Sequence, residues 1–502
     1  MNSRNTILVS VLLLLGALAS AQNSTTPSGG TEQDSISALR EELRQTREQL
    51  ARSESEIRQL HGIVDRMQLQ VEQLAAGPTA GTRALVQAEP DAQAQAPAPT
   101  SDEWQMLAAK VDEHEQAKVD SASKFRLKLS GLFLFTAFSN AGTVDNIDLP
   151  DYAYPRPDGA AHGNTGASLR QSIIGLTGIG PRIAGARTSA DLQLDFFGGM
   201  PAGYSQYASG IARLRIARMR LDWENSSLVA GLDAPFFSPN SPTTYASVAQ
   251  PAFSSSGNLW NWLPSIRFEQ REKVGTAEAK IEAGLIDYAG YHGAGLSTNR
   301  YPTAGESSRQ PAYALRLSLS RPGENDPVSV GIGGVYVPQR FLDGREVSGW
   351  GGTADFRVPV TAHFEMSGEF FTGRGINGFG GMTLGRVPAQ DYHYATVTAP
   401  TIAELFTIGG WSQFKFKANS RNEFNAAAGY GGFSSSRLRT ASITDSYLTN
   451  VPARNQAMFA NYIYRPRSDL LFSVEYRHLR TFGTSSGPAT ADQVGVSAGF
   501  LF

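Results

Sequence analysis

"FRLKLSGLFLF", residues 125–135, is where the chain changes its period. Phe125, Leu127, Leu129, Gly131, Phe133 and Phe135 fall on one side of a two-residue alternation, and Arg126, Lys128 and Ser130 begin the other. That alternation marks a strand whose two faces meet different surroundings. Similar segments follow from 169–179 to 491–502, about sixteen strands in all. Each is close to the nine to eleven residues a tilted membrane strand needs.

The connections carry more weight than the segments. Residues 140–168, 234–262, 289–309, 375–401 and 434–454 are long, whereas "PRIAG", "KVG", "RPGENDP", "ANSRN" and "RPRSD" are short. Long external loops alternating with tight periplasmic turns describe an outer-membrane barrel, and a soluble all-β protein has no reason to keep that rhythm. The expected fold is therefore an all-β transmembrane barrel over 124–502. Lipid offers no hydrogen-bond partners, so such a sheet must close on itself. "VGVSAGFLF" (494–502) fits a closing strand, with Val494, Val496, Ala498, Phe500 and Phe502 on one face. Phe500 and Phe502 are expected in the periplasmic aromatic girdle.

Composition agrees. "MNSRNTILVSVLLLLGALASAQ" places Arg4 before a short apolar run and a small-residue site at Ala19–Ala21, which reads as a signal peptide over 1–21. The absence of cysteine removes thiolate chemistry, and no run is long enough for a membrane helix. Charged residues make up 18%, below the usual quarter or so, and the net charge of −2 gives no bulk case for nucleic acid. No metal or cofactor is expected.

Between the leader and the barrel, apolar residues follow a heptad over 36–76. Ile36, Leu43, Leu50, Ile57, Val64 and Val71 occupy a positions, with Leu39, Leu60, Met67 and Leu74 among the d positions. Such a narrow, sustained stripe reads as a periplasmic α-helical coiled coil about 60 Å long, and hence as an oligomer. Thr46 and Ser53 at d weaken the seam, and the heptads leave dimer and trimer open. A Pro/Ala-rich linker with a possible short helix at 101–119 covers 77–123.

A barrel this wide leaves an aqueous lumen, so inward residues should be polar. Asp191, Gln193 and Asp195 share a face in strand three, and Arg267, Glu269 and Arg271 share one in strand six. His363, Glu365, Ser367 and Glu369 do so in strand eleven. Strand four, "ARLRIARMRLDW", carries Arg213 and Arg215 on one face, then Arg218 and Arg220 after a phase slip near Ala217, read as a bulge. The candidate pore-lining residues are Arg213, Arg215, Arg218, Arg220, Arg267 and Arg271, with Arg126 and Lys128. They could form an anion-selecting wall, or a structural wall neutralised by Asp191 and Asp195 across the ladder.

The order of leader, heptads, linker, "KLSGLFLFTAFSNAG" as first strand and a terminal Phe resembles the dicarboxylate porin (DcaP-like) family of outer-membrane proteins. The terminal aromatic also resembles the signal by which such barrels are recognised for insertion. The resemblance implies a homotrimer and passive diffusion of small organic anions such as dicarboxylates. No family pore residue is matched position by position. In general porins the third external loop folds inward with acidic groups. Here that loop, "PFFSPNSPTTYASVAQPAFSSSGNLWNWLP" (235–264), has no charge, which would leave the arginines less opposed. The partners expected are other copies of this chain, outer-membrane lipid and small anionic solutes.

Two other classes are weighed. A rod and flexible linker could tether the membrane to peptidoglycan, with pelleting of segment 22–123 as its test. A barrel enzyme needs a nucleophile with a placed histidine and acid. Of the seven histidines, only His363 and His478 lie on strands, with no catalytic spacing beside them. "GRGING" (373–378) fits a dinucleotide fingerprint but is not followed by a helical pattern.

Overall fold

The computed structural model describes residues 126–200, 210–288, 302–321, 328–341, 344–382, 392–395, 401–434, 451–484 and 486–502. The leader, heptad segment and linker lie outside the described residues. One sheet, closed and antiparallel, holds seventeen strand segments. Two of them, Gly163–Ser168 and Ile173–Ile179, pair with the upper and lower halves of one partner, so the wall has sixteen strands.

In chain order these are β1 (Arg126–Ala141), β2 (the two pieces), β3 (Arg187–Asp195), β4 (Arg213–Asp222), β5 (Ser226–Asp233) and β6 (Leu263–Val274). Then come β7 (Ala277–Ile286), β8 (Ala312–Arg321), β9 (Val328–Arg340), β10 (Glu346–Thr361) and β11 (Phe364–Arg374). The wall ends with β12 (Phe406–Asn419), β13 (Asn422–Phe433), β14 (Pro452–Arg467), β15 (Leu470–Gly483) and β16 (Pro488–Leu501). Each pairs with the next, and β16 returns to β1 in a register running from Leu132 opposite Leu501 to Ala141 opposite Asp492. Gly131 and Phe502 exchange both backbone hydrogen bonds, at 2.8 and 3.1 Å.

Alternation sorts the side chains as lipid demands. Leu127, Leu129, Phe133 and Phe135 point out from β1, and Leu315, Leu317 and Leu319 do so from β8. Val494, Val496, Phe500 and Phe502 point out at the seam. Outward rings gather at the short-turn end, where Phe424 stacks on Tyr462 at 4.8 Å and Phe500 on Phe502 at 6.5 Å.

Two expectations need correction. Residues 163–168, read as loop, form the upper half of β2; "GNTGAS" hides its strand character because its outward Thr165 and Ala167 are small. Nor is the inner face polar throughout. Ile286, Ala312, Ala314, Val335, Val337 and Phe371 point inward and are buried. They pack on Phe236, Phe237 and Leu259 of loop 3 (234–262) and on Ile376 and Phe379 of the following inward segment 375–382. These wall residues are apolar because they meet apolar side chains of the infolded segments.

Candidate functional site

The four arginines of β4 all face the lumen. β4 carries a bulge: Gln193 pairs with Ile216 and Leu194 with Leu214, leaving Arg215 as the extra residue. The slip therefore sits at Arg215, two residues before Ala217. It keeps Arg213 and Arg215 inward above it and Arg218 and Arg220 inward below it, while Leu214 and Met219 face lipid. Seven residues at about 3.3 Å each make a ladder about 20 Å tall along the strand.

None of these cations stands unopposed. Asp195 takes Arg213 at 2.7 Å and lies 3.7 Å from Arg215. Arg218 bridges Asp191 at 3.2 Å and Asp233 at 2.9 Å. Arg220 bridges Asp222 at 2.7 Å and Glu269 at 2.8 Å. From β6, Arg267 reaches Asp233 at 2.8 Å and Glu269 at 2.9 Å, and Arg271 reaches Glu269 at 3.4 Å. The charge-free loop thus does not leave the arginines less opposed, because their carboxylates come from β3, β4, β5 and β6. The network runs on through Glu282 and Arg316 to Asp355. Six arginines meet five carboxylates in the ladder itself. Its net positive excess is therefore small, and the charge it presents depends on which members touch water.

Loop 3 decides that. It lies inside the barrel, bonded to strands on the far wall. Glu369 of β11 accepts from Ser238 Oγ at 2.6 Å and from Asn240 N at 2.5 Å. Gln413 of β12 accepts from Thr243 N at 2.6 Å, and Glu475 of β15 accepts from Thr244 Oγ1. Asn461 of β14 donates to Thr243 O at 3.0 Å, and Ser497 of β16 to Tyr245 O at 3.2 Å. Gln171, in the break that divides β2, accepts from Val248 N at 2.7 Å and Ala249 N at 3.1 Å. Arg213 closes the circuit by donating to Ala249 O at 2.7 Å. The neutral loop offers hydroxyls and backbone N–H groups to wall carboxylates, which buries those acids without adding charge.

Burial follows that geometry. On the loop-covered side the Lys415, Glu365 and Glu475 side chains are 6%, 4% and 2% exposed. On the ladder Arg213 and Arg220 keep 23% and 22%. Between loop and ladder lies a cavity of about 110 Å³ lined by Arg215, Arg218, Arg267, Asp233, Phe236 and Trp262, among others. The Arg213 and Arg215 guanidiniums sit 5.1 and 4.8 Å from the Trp262 ring, whose π face attracts cations.

The remaining candidates lie elsewhere. Arg126 is exposed and Lys128 half-buried at the short-turn mouth of β1, away from the ladder on β4. His363 is not a lumen residue; it is exposed in the turn between β10 and β11, its Nδ1 2.8 Å from Lys417 O. His478 faces outward beside Asp492. Gly378 of "GRGING" is buried against the Tyr288 ring. Among the described residues no cluster of metal-ligating side chains occurs. Sequence reasoning missed Gln171, Gln413 and Glu475 as loop anchors, since nothing local distinguishes an anchor from any inward polar residue.

No protein-family model matches the chain, and no curated protein does. Among solved structures it is similar to the outer membrane channel DcaP of Acinetobacter baumannii, at 17% identity, over 77% of this chain and 100% of that one, with a TM-score of 0.59. An anion-selective porin from Comamonas acidovorans matches at 10% identity over 75% of this chain and 100% of its own, TM-score 0.44. Salmonella typhi OmpF, in complex with daunomycin, matches at 10% identity over 76% and 99%, TM-score 0.45. The first of these likenesses shows a shared barrel fold.

Proposed function

We propose that the protein is an outer-membrane porin for passive diffusion of small hydrophilic solutes, favouring small organic anions such as dicarboxylates. One observation carries the reading: loop 3 covers the wall opposite the ladder and leaves Arg213, Arg218 and Arg220 as partly exposed cations, Arg218 lining the cavity between loop and ladder. An anion there meets guanidinium donors already oriented by their own carboxylates, in surroundings that repel no negative charge from the loop. Other copies of this chain, assembled as a trimer through the 36–76 heptads, belong to the same proposal.

The test is the reversal potential of the purified full chain in a planar bilayer under a salt gradient. The wild type should prefer anions. Arg218→Gln leaves Asp191 and Asp233 less neutralised and should move the permeability ratio toward cations; Asp191→Asn should move it toward anions. A unit charge about 8 Å from the ion's path shifts anion and cation occupancy roughly two- to threefold each, in opposite senses, and so changes the ratio roughly sixfold in water. Shifts of the same sign in both variants, or none, would leave the ladder a purely structural wall.

A further inference from the structure

Every arginine buried in the described structure lies within 4 Å of a carboxylate. Arg454 of β14 and Arg480 of β15 are held differently. Both are exposed on the outer wall, and neither has an acidic partner among the described residues. Their guanidiniums lie over the same ring, Phe482, at 4.3 and 4.9 Å. The nearest outward acid, Asp492, is already engaged by Tyr476 Oη at 2.6 Å and His478 Nδ1 at 2.8 Å.

Height makes the pair informative. The outward face of β15 climbs from Phe472 and Val474 through Tyr476 and His478 to Arg480 and Phe482. Ten residues separate Leu470, paired with Phe500 of the lower girdle, from Arg480, about 25 Å of height for a strand tilted about 40°, in a barrel whose apolar band is about 25 Å tall. Arg454 and Arg480 therefore stand at the external headgroup level. A cation on the lipid face is tolerated there when an anion meets it, and Phe482 holds both guanidiniums with no carboxylate on either among the described residues.

We propose that Arg454 and Arg480, ordered on Phe482, form a binding site for the phosphate groups of an outer-leaflet lipid. Arginine forks match phosphate oxygens two at a time, so a doubly phosphorylated headgroup can use both.

The test uses the full-length protein in maltoside micelles doped with lipid A carrying two phosphates, one or none, with bound lipid counted by native mass spectrometry. The wild type should retain the doubly phosphorylated lipid best. Arg454→Gln with Arg480→Gln should weaken that retention about tenfold or more, and the corresponding double lysine variant should keep part of it and report that the fold is intact. Equal retention of the phosphate-free lipid by the wild type, or unchanged retention by the glutamine variant, would overturn the proposal. Competition by inorganic phosphate at the same concentration as the lipid would overturn the lipid as its source. Loss of the oligomer with lipid retention unchanged would assign the face to a neighbouring copy instead.

Discussion

Asp151 sits where loop 1 (142–162) meets loop 3. Its Oδ1 accepts from Ser254 Oγ at 2.7 Å, and its backbone carbonyl accepts from Asn455 Nδ2 at 2.8 Å. Burial pushes its carboxyl up from 3.8 to about 7; the Asp145 charge adds to this, and the Ser254 hydroxyl and Arg477 oppose it. An acid whose docked pKa lies above its free value binds its proton more tightly when docked. Docking of loop 1 is therefore strongest below about pH 4, weakens as pH rises toward 7, and is weakest above that. Amides near Asp151 should exchange faster at pH 8 than at pH 5.5 after correction for intrinsic rates, and Asp151→Asn should remove the difference. A pH-independent wild type would refute the coupling of loop 1 docking to the Asp151 proton. At this scale the sequence was half legible. Asp191 and Asp195 could be placed beside the arginines by strand order alone. Glu269 could be placed beside Arg267 and Arg271 by alternation, but its pairing with Arg220, and the role of Asp233 at the very end of β5, needed the register.

Wall elements were readable because lipid imposes a strict alternation, and where outward residues are small, as in 163–168, the signal vanished. Loop placement left only an indirect trace. Loop 3 passes so near β12 and β13 that Gly257, at φ +115°, would put a Cβ 2.3 Å from Gly410 O. A Cβ on Gly429 of β13 would lie 2.4 Å from Ser256 O. Gly429 and Gly431 in "AAAGYGGF" thus make room for a passing backbone, a purpose no strand pattern announces. Gly257→Ala adds strain of about 1–3 kcal/mol and should lift that part of loop 3 off the wall. We expect a lower heat-unfolding midpoint and an altered single-channel conductance. Unchanged values for both would show that the loop accommodates the methyl without moving.

For the molecule as a whole, the partners of loop 3 come from strands spread through the barrel, from Gln171 in β2 to Ser497 in β16. That circuit has a consequence in time. Gln171 and Ser497 are 326 positions apart by residue number and become neighbours only when β16 pairs with β1. Contacts between distant parts of a chain form late, because the loops they close must first be brought together. Loop 3 should then be the last part to settle. During refolding into detergent, a protease site near Gln250 should stay open until the barrel gains its compact electrophoretic mobility, and close afterwards. Protection that preceded the mobility shift would reverse the order. The same logic makes the infolded segment a proofreader of assembly: a barrel that joins its edges in a slipped register offers it no matching anchors, and leaves a nearly thirty-residue strap exposed to periplasmic proteases.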